Sequence, residues 1–135
     1  LRVQPWNAGA AVLFPEKRLI PGDKESPKNK DHYLNLKAQG WWELRARFWK
    51  TYRALTEGID YDTDELISID SACFTAEELA QLIKELSQAT SSLSPGKLKL
   101  MVDKSPEGTR SPNMADAVVM AYWPILARYT LENVG

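Results

Sequence analysis

The residues best placed to do chemistry lie in the segment KSPEGTRSPNMADAVVMAY, from Lys104 to Tyr122. Its central acid, Asp116, falls in the first turns of a predicted helix, among small apolar residues and after a loop that contains Lys and Arg. One interpretation is that the carboxylate only complements the helix dipole, which is worth about 0.3–1 kcal/mol. The other is that it points inward as a ligand for a hard divalent cation, because a buried carboxylate would otherwise carry an uncompensated charge. The residues alone leave both interpretations open.

Any metal chemistry in this chain has to use carboxylates. Cys73 is the only cysteine and His32 the only histidine, which excludes an internal disulfide, a Cys-rich zinc site and a multi-histidine metal site. Carboxylate oxygens favour Mg, Mn or Ca. Two-metal hydrolysis of a phosphodiester needs several carboxylates that converge on the cations. Asp103 is a possible second ligand, although a role in capping the end of a predicted strand explains it better.

The overall charge gives no general attraction to DNA. The 135 residues include 17 Lys and Arg and 18 Asp and Glu, so the net charge is -1 and any DNA-binding surface has to be a local patch. Trp41, Trp42 and Trp49 could stack on bases, although aromatic residues at helical spacing more often belong to a core. The longest apolar run, Ala117–Ala127, is too short to cross a bilayer, which takes roughly 20 residues. Five basic residues share the same predicted helix as the tryptophans: Lys37, Arg45, Arg47, Lys50 and Arg53.

Capping signals and hydrophobic spacing predict three helices that position these residues. They are Tyr33–Thr56, a helix from Thr75 to about Gln88, and a last helix that begins at Ser111. Gly58 ends the first. Thr75 and Glu78 form a capping box at the start of the second. Ser111 caps the third, with Pro112 at its first position, where a missing N–H costs nothing.

Short strands complete a predicted single domain, residues 1–135, of the α/β class and rich in helix. The strands are Leu1–Trp6, Leu66–Ile69 and Lys97–Val102. The segment Ser91–Gly96 is predicted as a turn. Residues 14–31 are rich in Pro, Gly and Lys, which predicts a flexible basic connector without regular structure.

Four stretches, in this order, resemble the C-terminal nuclease domain of the large terminase subunit of tailed phages and prophages. They are HYLNLKAQGWWELRARF, DELISI, EELAQLIKELSQ and GKLKLMVDKSPEGTRSPNMADAVVMAYWP. The "SPNxADA" motif is the most specific of them, and the others are individually weak but strong in series. Together they extend over most of the chain.

The resemblance implies a ribonuclease H-like fold and a metal-dependent endonuclease that cuts concatemeric viral DNA at the start and end of packaging. It places the last of three acidic metal ligands at Asp116. It places the lysine of the preceding loop at Lys104, which could contact phosphate or stabilise developing charge. The implied cofactor is Mg or Mn. The candidate DNA contacts are six basic residues: Lys37, Arg45, Lys97, Lys99, Lys104 and Arg110.

The resemblance also implies partners and a place of action. The partners are double-stranded DNA and, in the intact motor, the portal and the small terminase subunit, with no role for a membrane. The place is the cytoplasm of a bacterial host. Two alternatives stay open: a non-catalytic DNA- or partner-docking module that acts through its basic helix, and an inactive prophage remnant.

One departure from the family pattern limits what this chain is expected to do. The first two acidic ligands of the family belong on strands that would precede Leu1, and the ATPase lies further upstream. The chain is therefore expected to be the C-terminal part of an incomplete nuclease domain, to bind metal poorly and hardly to cut DNA by itself. Without those strands, sheet edges and helix faces would be uncovered, which predicts self-association or a loosened core.

Overall fold

A computed structural model describes residues 5–123 of the chain. Within this range, four α-helices accompany a two-stranded antiparallel sheet, which confirms the prediction of a helix-rich α/β chain. The elements, in order, are α1 (Asn29–His32), α2 (Leu36–Glu57), α3 (Ala76–Gln88), β1 (Thr90–Leu93), β2 (Leu100–Asp103) and α4 (Asn113–Ala121).

Helix α2 is the longest element of the described range. Asn35 caps it through its side-chain oxygen, and Gly58 ends it in the left-handed conformation, with a φ of 68°. The predicted start at Tyr33 is wrong by three residues. Tyr33 instead forms a parallel bridge with Leu100, and the next backbone N–H donates to the Leu100 carbonyl at 2.9 Å. Pairing with β2 therefore holds this backbone in an extended conformation.

Helix α3 begins and ends where the sequence predicts. The Glu78 N–H donates to the Thr75 hydroxyl at 3.1 Å, and the Thr75 N–H donates to the Glu78 carboxylate at 2.9 Å. This is the predicted capping box. The helix then runs to Gln88 as expected.

The sheet differs from its prediction in register and in its second strand. Strand β2 lies three residues later at its start than the predicted strand Lys97–Val102. Its partner β1 overlaps the first half of the predicted turn Ser91–Gly96, so that half of the prediction is wrong, whereas residues 95–97 do form a turn. The register pairs Thr90 with Asp103 and Leu93 with Leu100. Residues 94–99 form the connection between the two strands.

The other two predicted strands are not found among the described residues. Leu66–Ile69 does not pair with a described strand, because side chains of α2, together with the Tyr122 hydroxyl at Ser68, satisfy its backbone. The Arg47 guanidinium donates to the Leu66 carbonyl, and the Ile67 N–H donates to the Thr51 hydroxyl, both at 2.9 Å. The predicted strand Leu1–Trp6 lies mostly outside the described residues, and its last two residues are not in a strand.

The basic connector at residues 14–31 has more local structure than the sequence predicts. It contains α1, and Arg18 forms an antiparallel bridge with Lys28. The buried Asn29 amide donates to two backbone carbonyls, at 3.0 and 3.1 Å. Glu16 forms salt bridges with Lys28 and Lys30, and their hydrogen bonds lower the pKa of its carboxyl to about 2. Two of the five basic residues of this segment thus share one acidic partner.

The core lies where α2 meets β2 and α4. Close approach of the two helices depends on Gly40, because a Cβ at that position would lie 3.0 Å from Cγ1 of Val119. None of the helices within residues 5–123 is long and apolar enough to cross a membrane. The buried hydrophobic cluster is Tyr33, Ala38, Trp41, Leu44, Ile67, Leu100, Val102, Ala115 and Val119.

Candidate functional site

Asp116 is the fourth residue of α4. The helix begins one residue later than predicted, because Pro112 occupies the cap position and Asn113 is the first helical residue. The Ser111 hydroxyl lies 3.2 Å from the Asn113 side-chain oxygen and does not cap a backbone N–H. The Asp116 N–H closes the first helical turn on the Pro112 carbonyl, at 2.8 Å.

The two residues predicted to be catalytic, Lys104 and Asp116, lie together. The Lys104 ammonium forms a salt bridge with Oδ2 of Asp116, and the two side chains are only 27% and 13% exposed. Oδ1 of Asp116 is buried and has no hydrogen-bond partner among residues 5–123. The ion pair joins the residue that follows β2 to the first turn of α4, so the carboxylate carries a nearby positive charge and one free oxygen.

Two residues of α3 that sequence reasoning missed hold this arrangement. Gln88 donates its amide to the carbonyls of Lys104 and Arg110, both at 2.8 Å, and so closes the loop between them. The Glu85 carboxylate accepts the Ala115 N–H at 2.9 Å. The sequence gives no clear signal for either residue, because Glu85 lies beside the apolar face of Leu79, Leu82, Ile83 and Leu86 rather than on it, and both residues bond to backbone far away in the chain.

The carboxylate chemistry of Asp116 fits a hard divalent cation, but the described residues do not complete a metal centre. No group of three or more His, Cys, Asp or Glu side chains comes together in the described part of the chain. Asp103, the possible second ligand, is exposed and accepts the Ser105 N–H at 3.0 Å, as a residue that caps the end of a strand does. Asp116 is therefore a single candidate ligand with one free, buried oxygen.

The six predicted DNA contacts belong to three different parts of the fold. Lys97 and Lys99 lie in the connection between β1 and β2, whereas Lys104 and Arg110 flank the loop that precedes α4. Arg110 is exposed and, together with Lys84 of α3, lines a polar cleft of about 350 Å³. The other two predicted contacts, Lys37 and Arg45, lie on α2.

The basic face of α2 is less available for DNA than its sequence suggests. Arg45 lies 4.8 Å from the ring centroid of Trp42. The Arg47 guanidinium donates to the Leu66 carbonyl. Lys50 and Arg53 form salt bridges with Glu65 and Glu57. Four of the five basic residues thus have intramolecular partners.

Comparison with solved structures identifies related domains. The nuclease domain of the large terminase subunit of bacterial virus Sf6 is 25% identical to this chain, with a TM-score of 0.76. The match covers 89% of this chain and 52% of that one. A lysine-to-alanine variant of that domain, solved with manganese and beta-thujaplicinol, gives the same values. The variant solved with calcium is 26% identical, with a TM-score of 0.75, and the match covers 89% and 52% of the two chains.

The chain spans about half the length of the solved domains it matches. No protein-family model matches it, and no curated protein matches it either. The structural match nevertheless extends over nearly all of the described residues. It confirms the resemblance that the motifs indicate: the chain has the ribonuclease H-like fold of part of a terminase nuclease domain from a tailed phage.

Proposed function

We propose that this chain is part of the divalent-metal-dependent nuclease module of a phage DNA-packaging terminase, which cuts double-stranded DNA. The observation that carries the proposal is the half-buried ion pair of Lys104 and Asp116 on a fold shared with terminase nuclease domains. Two of those domains were solved with manganese or calcium, which supports a site for a divalent cation here. Mg or Mn is the proposed cofactor.

Asp116 is proposed to supply one ligand of this metal site. Its free oxygen, Oδ1, is buried beside small apolar side chains, so a cation would relieve the cost of the uncompensated charge. A bound metal would polarise the phosphate and activate water. The remaining ligands are proposed to come from residues that precede Leu1, as the family pattern implies. By itself the chain is therefore expected to bind metal weakly and to be inactive.

Lys104 is proposed to contact the DNA phosphate next to Asp116. Its ammonium balances the carboxylate charge in the absence of metal. Because it lies at the start of the same loop as Arg110, both side chains can follow one phosphate backbone. Lys97 and Lys99 add positive charge at the tip of the hairpin, and Lys37 and Arg45 are the weaker candidates.

Nicking of supercoiled plasmid in Mn tests this proposal. The assay compares the chain with a version extended upstream by the residues its gene encodes there, each with and without Asp116→Asn. Asp103→Asn is the matched control, because Asp103 is an exposed aspartate of the neighbouring strand. The expected result is cutting by the extended version alone, lost in Asp116→Asn and kept in Asp103→Asn. Cutting that survives Asp116→Asn would refute the role of Asp116.

A docking module without chemistry is the second candidate function. It is favoured by one observation, that the described residues supply a single carboxylate ligand. In that case DNA binding would be present in the chain and insensitive to Mn and to Asp116→Asn. If no version nicks the plasmid but DNA binding is intact, this candidate is favoured. Absence of both activities would favour the prophage remnant.

The wider assembly stays a prediction. In the intact motor the partners are proposed to be the portal and the small terminase subunit, in the host cytoplasm. Self-association also stays a prediction, and exposed apolar side chains on α2 support it: Phe48, Trp49, Tyr52 and Leu55. Light scattering tests it, and a compact, stable monomer would contradict it.

A further inference from the structure

Glu85 is a buried acid on the buried side of α3, next to Leu82. It is 5% exposed and lies between Leu82 and Leu86 in sequence. A buried carboxylate is costly unless it is hydrogen-bonded, and both oxygens of Glu85 are. One oxygen accepts the Ala115 N–H at 2.9 Å, and the other accepts the Gln81 amide at 3.0 Å.

The first of these bonds replaces a cap that α4 lacks. The first N–H groups of a helix have no partner within the helix and are commonly satisfied by a Ser, Thr, Asn or Asp side chain at the cap position. Pro112 occupies that position in α4, and no side-chain cap forms there. The Glu85 carboxylate, which comes from a different helix, satisfies the N–H of the third helical residue instead. Its negative charge also complements the positive end of the helix dipole.

We propose that Glu85 is a positioning residue for Asp116, an inference that rests on the function proposed above. Ala115 and Asp116 are consecutive, so the bond that fixes the Ala115 N–H also fixes the turn that carries the Asp116 carboxylate. Without it, the first turn of α4 would fray and Asp116 would lose its fixed place beside Lys104.

Helix α3 positions the partner of Asp116 by the same means. Gln88 follows Glu85 by three residues, so the two side chains lie on one face of the helix. Gln88 holds the Lys104 carbonyl while Glu85 holds the start of α4. One helix face thus fixes both members of the ion pair.

A titration of the ¹⁵N-labelled chain with Mn²⁺ tests this role. Paramagnetic broadening of the Ala117 amide signal reports a cation at Asp116. Glu85→Leu removes the acceptor and should weaken the Mn²⁺ affinity by about fivefold, the size of a lost helix cap. Glu85→Gln keeps an oxygen that can accept the Ala115 N–H, and Gln81 can rotate its amide to match. It should restore the affinity to within about twofold.

Leu82→Ala is the matched control for stability. Leu82 is 2% exposed, on the same helix and one turn before Glu85, so its truncation should lower the free energy of unfolding and leave the Mn²⁺ affinity unchanged. Equal losses of Mn²⁺ affinity in Leu82→Ala and Glu85→Leu would overturn the positioning role. So would unchanged affinity in Glu85→Leu.

Asp116→Asn separates this inference from the proposed function. If the broadening survives Asp116→Asn, the metal is not at Asp116 and the proposed function fails first. If it is lost there but unchanged in Glu85→Leu, only the inference about Glu85 fails. Should Glu85→Leu not fold, hydrogen exchange of the unsubstituted chain decides. A protected Ala115 amide supports the bond to Glu85, and an amide that exchanges like an exposed one overturns it.

Discussion

Replacing Lys104 by Met tests the ion pair most directly. Met keeps most of the length of the side chain and removes its charge, so the Asp116 carboxylate is left without a positive neighbour while its other oxygen is already unpartnered. Removing one member of a fully buried pair costs about 3–5 kcal/mol, whereas exposed pairs contribute about 0–1 kcal/mol. The side chains are 13% and 27% exposed, so we expect an intermediate loss, about 2 kcal/mol.

A double-mutant cycle isolates the interaction from other effects of the substitution. Asp116→Asn should cost less, about 1 kcal/mol, because the freed Lys104 ammonium can turn toward water. The double variant should be more stable than the sum of the single losses predicts, with a coupling of about 1–2 kcal/mol. Urea unfolding followed by tryptophan fluorescence measures all four free energies.

The cycle also separates the ammonium from a metal ion. A divalent cation at Asp116 should replace the lost positive charge, so Mn²⁺ should stabilise Lys104→Met more than the unsubstituted chain, and Asp116→Asn least. A coupling below about 0.5 kcal/mol would refute the ion pair as a buried interaction. If Mn²⁺ raised the free energy of unfolding of Lys104→Met and Asp116→Asn equally, the idea that the ammonium and the metal compete for the Asp116 carboxylate would be refuted.

Three further predictions concern the core and the DNA contacts. Gly40→Ala should lower the free energy of unfolding by about 1–2 kcal/mol in urea, because the contact with Val119 outweighs the gain in helix propensity; an unchanged value would contradict it. Burial and the charge of Glu43 raise the pKa of Tyr33 to about 12 from 10.0. The stabilisation by the neutral phenol is therefore complete below pH 10 and is lost as the pH rises to about 12. Urea unfolding over this pH range measures the loss, and its pH dependence should differ from that of Tyr33→Phe. Arg110→Ala should reduce the salt slope of DNA binding by about 1, and an unchanged slope would remove it from the phosphate contacts.

The sequence alone predicts where a helix begins or ends when that end depends on residues close together in the chain. The capping box of Thr75 and Glu78 fixes the start of α3, and the left-handed Gly58 fixes the end of α2. Both signals involve residues no more than a few positions apart, so no knowledge of the rest of the fold is needed. The start of α2 could not be predicted in this way, because the bridge between Tyr33 and Leu100 joins residues distant in sequence.

The strands agree less well with their predictions than the helices do. Strand β1 is polar and exposed along its length, so it has no alternation of apolar residues, and its pairing with β2 alone makes it a strand. Leu66–Ile69 has the composition of a strand. Thr51, Arg47 and Tyr122 provide its backbone partners, and none of the described strands lies beside it.

In the candidate site, the residues that carry charge could be predicted from the sequence, and the residues that position them could not. Asp116 and Lys104 could be predicted because their side-chain types and their motif point to a function. Glu85 and Gln88 act through hydrogen bonds to backbone atoms 30 and 16 or more residues away, and no local pattern predicts such bonds. Because both supporting side chains belong to α3, the geometry of the ion pair depends on a helix that contributes neither of its charges. Loss of the hydrogen bonds of Glu85 and Gln88 should therefore separate Lys104 from Asp116 while the core around α2 stays folded.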